Sequence, residues 1–337
     1  MLSARVNSEH FAPMAATMRC MIRSDDRIAW LRRLAWLCAV LVLAVTSLSA
    51  FIRLSKAGLG CSPWPQCYMQ NLGPGDQGLS PLVGEAVARA RVAHRILAVA
   101  TLLLVIAMLM TTVTQGAMTQ RRQGRLVFAL LMLALFLAVL GRWTPNARVP
   151  AVTLANLLAG FAMFAISWRL AVSTGQTNAT TLVQRRLVRW AWLGTALLIA
   201  QIALGGLVAT GRFGLSCPQL WACDLTQAGW EAFIPWREPG FDAAQPGNPT
   251  GALLHVVHRL GSLVLAGVLL PLAVAAWRGG RRATGLALLV LLLVQGALGV
   301  ALVAAGLPLA IALAHNVAAA LLLAVVVSLT DNGRPLP

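Results

Sequence analysis

The sequence predicts an all-α integral membrane protein with eight transmembrane helices, laid out as two tandem four-helix bundles related by pseudo-twofold symmetry. Three observations carry this. Only 11% of the 337 residues are charged, whereas soluble domains average about 25%, so a water-covered surface of this size has too few charges. Apolar runs recur that are long enough to cross a hydrocarbon core as a helix, which takes about 20 residues. Cysteine and histidine patterns also recur at a nearly constant offset.

The expected spans are 34–52, 88–112, 126–141, 150–170, 189–209, 252–277, 284–304 and 308–329. A helix satisfies its own backbone hydrogen bonds in lipid, so none of these runs needs a sheet partner. The chain divides accordingly into an N-terminal tail (1–33), a first half (34–172), a linker (173–188), a second half (189–330) and a C-terminal tail (331–337). Residues 1–30 are polar and carry no short apolar core with a cleavage site, so they do not read as a secretory signal. They read as a disordered tail, or as an over-extended start with Met18 or Met21 as the true beginning.

A net charge of +17 would ordinarily point to nucleic acid. Here the arginines cluster on alternate sides of the spans instead, as in Arg32-Arg33, Arg121-Arg122, Arg185-Arg186 and Arg281-Arg282. Acids such as Asp76, Glu85, Asp224 and Glu231 fall on the other side. The positive-inside rule then places both termini in the cytoplasm and the long loops 53–87 and 210–251 outside a plasma (inner) membrane. The charge reports topology, and a nucleic-acid footprint would need a basic face on a soluble domain.

Of the six cysteines, Cys20 falls in the tail and Cys38 inside the first span. The other four form two pairs of equal spacing, Cys61 with Cys67 and Cys217 with Cys223, both in outer loops. Disulfides persist on that side. Metal binding is the rival, but neither loop has a histidine beside its pair. Redox-active thiols are a further reading of the first pair. The segment Gly58-Leu59-Gly60-Cys61 parallels Gly214-Leu215-Ser216-Cys217, His94-Arg95 parallels His258-Arg259, and Leu154-Ala155-Asn156 parallels Leu313-Ala314-His315. This is the duplication that joins helices 1–4 to helices 5–8.

Four of the five histidines lie in or beside spans, where an ionisable group is costly and usually functional. His94, Asn156, His258 and His315 each sit about 9–10 Å below the outer surface at 1.5 Å per residue. Two imidazoles at one depth on facing helices can ligate a heme iron axially. His258 and His315 make such a pair, whereas the first half offers His94 and Asn156, and asparagine is not a normal heme ligand. An interhelical hydrogen bond is the plainer role for a lone membrane histidine. Arg95 and Arg259 either snorkel to the outer surface or pair with heme propionates. His255, one turn above His258, reads as an interfacial residue or as a neighbour of the same pocket. His10 lies in the tail.

At these residues the sequence resembles the heme A synthase family. The segments that carry the resemblance are 53–61 with Trp64-Pro65 and Cys67, His94-Arg95, 201–207, 214–217, His258-Arg259, 295–299 and 308–316. The resemblance implies an oxidoreductase that converts heme O to heme A by oxidising the C8 methyl to a formyl group, for cytochrome oxidase biogenesis. It implies heme b on His258 and His315, and heme O as substrate in the first half on His94. It implies heme O synthase and oxidase assembly factors as partners beside the lipid bilayer, with self-association left open. The chain departs from the family pattern twice. Arg91 stands where the family has a glutamate, and Asn156 where it has a histidine. Glu85 is the nearest carboxylate and reads as a loop residue. Two other functions therefore stand beside the enzyme: a non-catalytic heme-binding protein in heme handling or oxidase assembly, and a bis-histidine cytochrome that passes electrons from quinol.

Overall fold

The computed structural model describes residues 11–57, 59, 81–113, 118–143, 149–173, 182–220, 222–239 and 247–330. The described residues form eight long helices: α1 Phe11–Lys56, α2 Pro81–Val113, α3 Met118–Leu140, α4 Pro150–Val172, α5 Leu182–Thr210, α6 Ala252–Arg278, α7 Arg282–Ala304 and α8 Leu309–Ser328. Each holds a stretch long and apolar enough to cross a membrane. The protein is therefore a multi-pass membrane protein. Large apolar side chains such as Leu103, Met110, Phe128, Leu263 and Leu293 are exposed. In water they would be a liability, whereas in lipid they are the expected outer surface.

Within the first half α1 packs on α2 and α4, α2 on α3, and α3 on α4. The second half repeats this: α5 packs on α6 and α8, α6 on α7, and α7 on α8. Between the halves α4 meets α8, flanked by α1 on α8 and α4 on α5. Exchanging α1–α4 for α5–α8 leaves this contact pattern unchanged. The main apolar core runs through both halves, from Cys38 and Val42 on α1 through Phe161 and Phe164 on α4 to Leu269 on α6 and Leu322 on α8.

Small residues set the closest approaches, as expected where helices associate by packing. A Cβ at Gly160 of α4 would sit 2.9 Å from Thr46 Cγ2 on α1, and one at Gly285 of α7 would sit 2.7 Å from the Ala273 carbonyl oxygen on α6. Cys38 is free and buried, with its sulfur 3.4 Å from the Ser167 hydroxyl.

Three boundaries differ from expectation. The N-terminal tail is helical from Phe11 onward, because Ala, Met and Arg dominate the stretch before the span and favour helix. The linker is shortened to the same effect, since α5 begins at Leu182. Glu85 lies in α2 rather than in a loop: Pro81 opens the helix, where a missing N–H costs nothing, and Glu85 pairs with Arg89 one turn on at 3.0 Å.

The segment between α5 and α6 is held by packing and polar contacts. Phe213 fills the space beside Gly211 and Gly251. Asn248, at φ 43°, donates to the Gly211 carbonyl at 3.3 Å and accepts at its own carbonyl from the Ser216 hydroxyl at 2.7 Å. Asp224 accepts from the Thr226 amide at 2.9 Å, which holds its carboxyl below the usual carboxylate range. The segment also reaches the first half, where the Ala151 amide at the start of α4 donates to the Pro235 carbonyl at 2.6 Å.

Candidate functional site

His258 on α6 and His315 on α8 are both partly buried, on two helices that each pack on α5 and on α7. Each is met by a glutamine from a neighbouring helix. Gln201 on α5 donates through Nε2 to the His258 carbonyl at 2.7 Å and lies 3.1 Å from His258 Nδ1. Gln295 on α7 lies 3.2 Å from His315 Nε2. Amides in an apolar span are costly unless they are bonded, so these contacts account for two polar groups that otherwise have no place there.

Each imidazole is also faced by a glycine. A Cβ at Gly205 would lie 2.9 Å from His258 Cε1, and one at Gly299 would lie 3.3 Å from His315 Cε1. Gly261 gives Gln201 the same clearance. A side chain at Gly205 would press on the ring, so the absent Cβ is what seats the imidazole.

This donor set fits a heme. Two imidazoles come from different helices with apolar walls around them, and Gln201 engages His258 at Nδ1, which leaves Nε2 for an iron. The Nδ1 of His315 is buried without a partner, as is the Oε1 of Gln295. Gln295 stands on the Nε2 side of His315, so loading that nitrogen requires the amide to turn aside.

Arg259 follows His258 and points to the segment between α5 and α6. Its guanidinium donates to the carbonyls of Cys217 at 2.6 Å, Gln219 at 2.9 Å and Leu220 at 3.2 Å. Cys217 and Cys223 are joined in a disulfide with Cα atoms 4.8 Å apart. The arginine thus ties the disulfide loop to the helix that carries His258. Cys61 and Cys67 lie outside the described residues. His255 is buried, with 4% of its surface exposed. Its Nδ1 is buried without a hydrogen-bond partner, one helical turn before His258 on α6.

The first half is built differently. His94 and Arg91 on α2 are partly buried and Arg95 is exposed. Asn156 on α4 donates to the Ser49 hydroxyl of α1 at 3.4 Å. No glutamine or asparagine occurs in the apolar parts of α1 and α3, 34–56 and 126–140, so the amides that support the second-half imidazoles have no first-half counterparts. The halves meet at Gly205-Gly206. Gly205 faces His258, while a Cβ at Gly206 would lie 2.7 Å from Leu154 and 3.1 Å from Leu157, the residues on either side of the Asn156 turn.

Sequence reasoning missed the roles of Gln201, Gln295, Gly205 and Gly299. The available signal was a single amide in each of two apolar spans, a polar residue with no reason to be there except a partner.

Fold and site together define a polytopic membrane protein with two amide-supported histidines in the spans of its C-terminal half. The sequence profile of a family described as cytochrome oxidase assembly protein matches residues 86–327. A heme A synthase from Shewanella oneidensis is 30% identical over 330 residues, which covers 90% of this chain and 96% of that protein. The chain belongs to the heme A synthase family of cytochrome oxidase assembly proteins.

Proposed function

We propose that this chain acts in heme A biosynthesis as a membrane oxidoreductase that converts heme O to heme A by oxidising the C8 methyl to a formyl group. The observation that carries the reading is the second-half histidine pair, each ring bonded to a glutamine and faced by a glycine. His258 and His315 would hold a heme b, which supplies one-electron transfer when bound. Gln201 fixes the ring of His258, and the disulfide loop tied down by Arg259 closes the outer end against water. His94 binds the substrate heme in the first half, and a single imidazole there leaves one face of that heme open to reaction. The two halves are tandem repeats, with both termini cytoplasmic and both cysteine loops outside, on the side where Arg95 would be available to a heme carboxylate. Cys61 and Cys67 form a second loop disulfide.

The competing reading, a heme-binding protein without this oxidation, draws support from Arg91 and Asn156. An arginine cannot serve as a carboxylate base, and Asn156 is occupied with Ser49. Coexpression with a heme O synthase, followed by extraction and chromatography of the hemes, separates the two. Heme A above the vector control supports the oxidoreductase. Heme O that accumulates unchanged, with protein-bound heme still present, rejects it in favour of the heme-binding reading.

A further inference from the structure

We propose that Arg53, near the outer end of α1, is the counter-cation of a heme carboxylate at the joint between the two halves. Arg53 belongs to the first half, but its NH2 group reaches α8 and donates to Asn316 Oδ1 at 3.5 Å. Asn316 is the residue after His315. That contact is long for a charged donor, for which about 2.7–2.9 Å is usual. The Nε of Arg53 is buried with no hydrogen-bond partner.

The surroundings sharpen the problem. Leu54 and Leu59 on one side, with Leu307 and Ala312 on the other, form an apolar cluster across the joint, joined by Ala57 and Leu313. A guanidinium cannot shed its charge, and an uncompensated charge in such a setting is strongly unfavourable. Among the described carboxylates, Glu85 is paired with Arg89, Glu231 with Arg237, Asp224 is bonded at Thr226 and Glu238 is exposed, and none of these pairs with Arg53. The missing anion is therefore expected from a ligand. A planar, forked donor suits a carboxylate, and the position beside His315 places it where a porphyrin carboxylate would fall. Arg259 is less available for this task, because three backbone carbonyls already take its donors.

The proposal rests on the heme reading of His258 and His315. The resident heme and the substrate heme carry the same carboxylates, and the test separates them. The full-length chain, produced under heme limitation, is loaded in detergent with iron protoporphyrin IX or with its dimethyl ester, which lacks the negative charges. Half-saturation is read at the low-spin band that depends on His258 and His315, and separately at the band that depends on His94. Wild type should prefer the diacid over the diester, and Arg53→Gln should reduce that preference roughly tenfold, within the range for contacting groups. Arg53→Lys, which keeps the charge but not the fork, should fall between. The band in which the preference collapses identifies the heme concerned.

An equal preference in wild type and Arg53→Gln at both bands overturns the assignment. So does a wild type that binds diacid and diester alike, a measurement that needs no variant to fold. If no low-spin band depends on His258 and His315, the heme reading itself fails and this proposal fails with it.

Discussion

Gly205→Ala is the most discriminating single change in the second-half site. The added Cβ would lie 2.9 Å from His258 Cε1 and 3.4 Å from its Nε2. Carbon pairs are comfortable from about 3.5 Å, so the ring must shift by roughly 0.6 Å or tilt. Imidazole and amide are bonded to each other, so Gln201 must move as well. Two effects oppose each other in the apo protein. Alanine favours helix over glycine by about 1 kcal/mol, and overpacking costs about 1–3 kcal/mol. Global stability should therefore change little, by about 2 kcal/mol at most. Heme affinity should change much more, because axial ligation tolerates little displacement of the ring. Gly160→Ala is the control: its Cβ would meet Thr46 Cγ2 at the same 2.9 Å, but no imidazole is involved. The assay is heme per polypeptide in purified protein, with the low-spin band of the reduced form and thermal unfolding recorded alongside. The expected result is a several-fold loss of heme and a displaced band in Gly205→Ala, with Gly160→Ala near wild type on both. Equal heme loss in the two variants would mean that general packing, and not the imidazole seat, governs binding. Wild-type heme content in Gly205→Ala would remove His258 from the site.

His258→Ala and His315→Ala should each abolish the low-spin bis-histidine spectrum, and retention of it in both variants rejects the pair. Gln201→Leu should leave heme bound but shift its midpoint potential, because the amide contact at Nδ1 is lost at about 1 kcal/mol for a neutral hydrogen bond; potentiometric titration reads this, and Gln201→Glu should shift the potential in the direction that favours the oxidised iron. Arg259→Ala should free the carbonyls of Cys217, Gln219 and Leu220, and limited proteolysis from the outer side should then cut between Cys217 and Ala252 faster than in wild type, with unchanged cleavage counting against the tether. Non-reducing peptide mapping should recover Cys217 joined to Cys223 and Cys61 joined to Cys67, and free thiols at all four would contradict both the pairing and the outer location. Asn156→His should raise the heme bound per chain by supplying a second first-half imidazole, and a stoichiometry equal to wild type would show that Asn156 does not face the substrate site.

The fold was legible because lipid imposes it. An apolar run of sufficient length has one way to satisfy its backbone, and all eight expected spans are helices. The errors fell where that constraint ends. The first turns of α1 and α2 and the start of α5 lie at or beyond the apolar runs, where helix propensity and the Glu85–Arg89 pair set the boundary. Hydropathy is silent about both. The site was partly legible. His258 and His315 stand out because a histidine in a span is rare. Gln201 and Gln295 were visible as residues but not as partners, since pairing across helices separated by 57 and 20 positions leaves no mark in one sequence. Gly205 and Gly299 carried still less signal, because glycine is common in membrane helices and only the neighbouring ring gives these two a reason. Arg259 shows the opposite difficulty: its position beside His258 suggested a propionate partner, and the backbone of a loop some 40 residues earlier could not be anticipated.

The two halves share an apolar frame and differ in their polar residues, and that division has a consequence for where function can change. Packing between α1 and α4 and between α5 and α8 is of one kind, and it depends on shape and volume that many apolar residues can supply. The polar residues allow no such substitution. Gln201, His258, Gln295 and His315 are each bonded within the second half, so loss of any one leaves a polar partner unmet in an apolar span, a cost of about 1–3 kcal/mol. This locks the second-half set together. In the first half, among the described residues, Asn156 is bonded to Ser49, and the apolar parts of α1 and α3 carry no amide. Replacing Asn156 leaves only the Ser49 hydroxyl to be met, so that position could take a histidine without disturbing the frame that holds both halves. The same reasoning explains why the reading of heme binding and the reading of heme oxidation can part company. The first rests on a set of residues bonded to one another, and the second, as proposed above, on a first-half site outside that set.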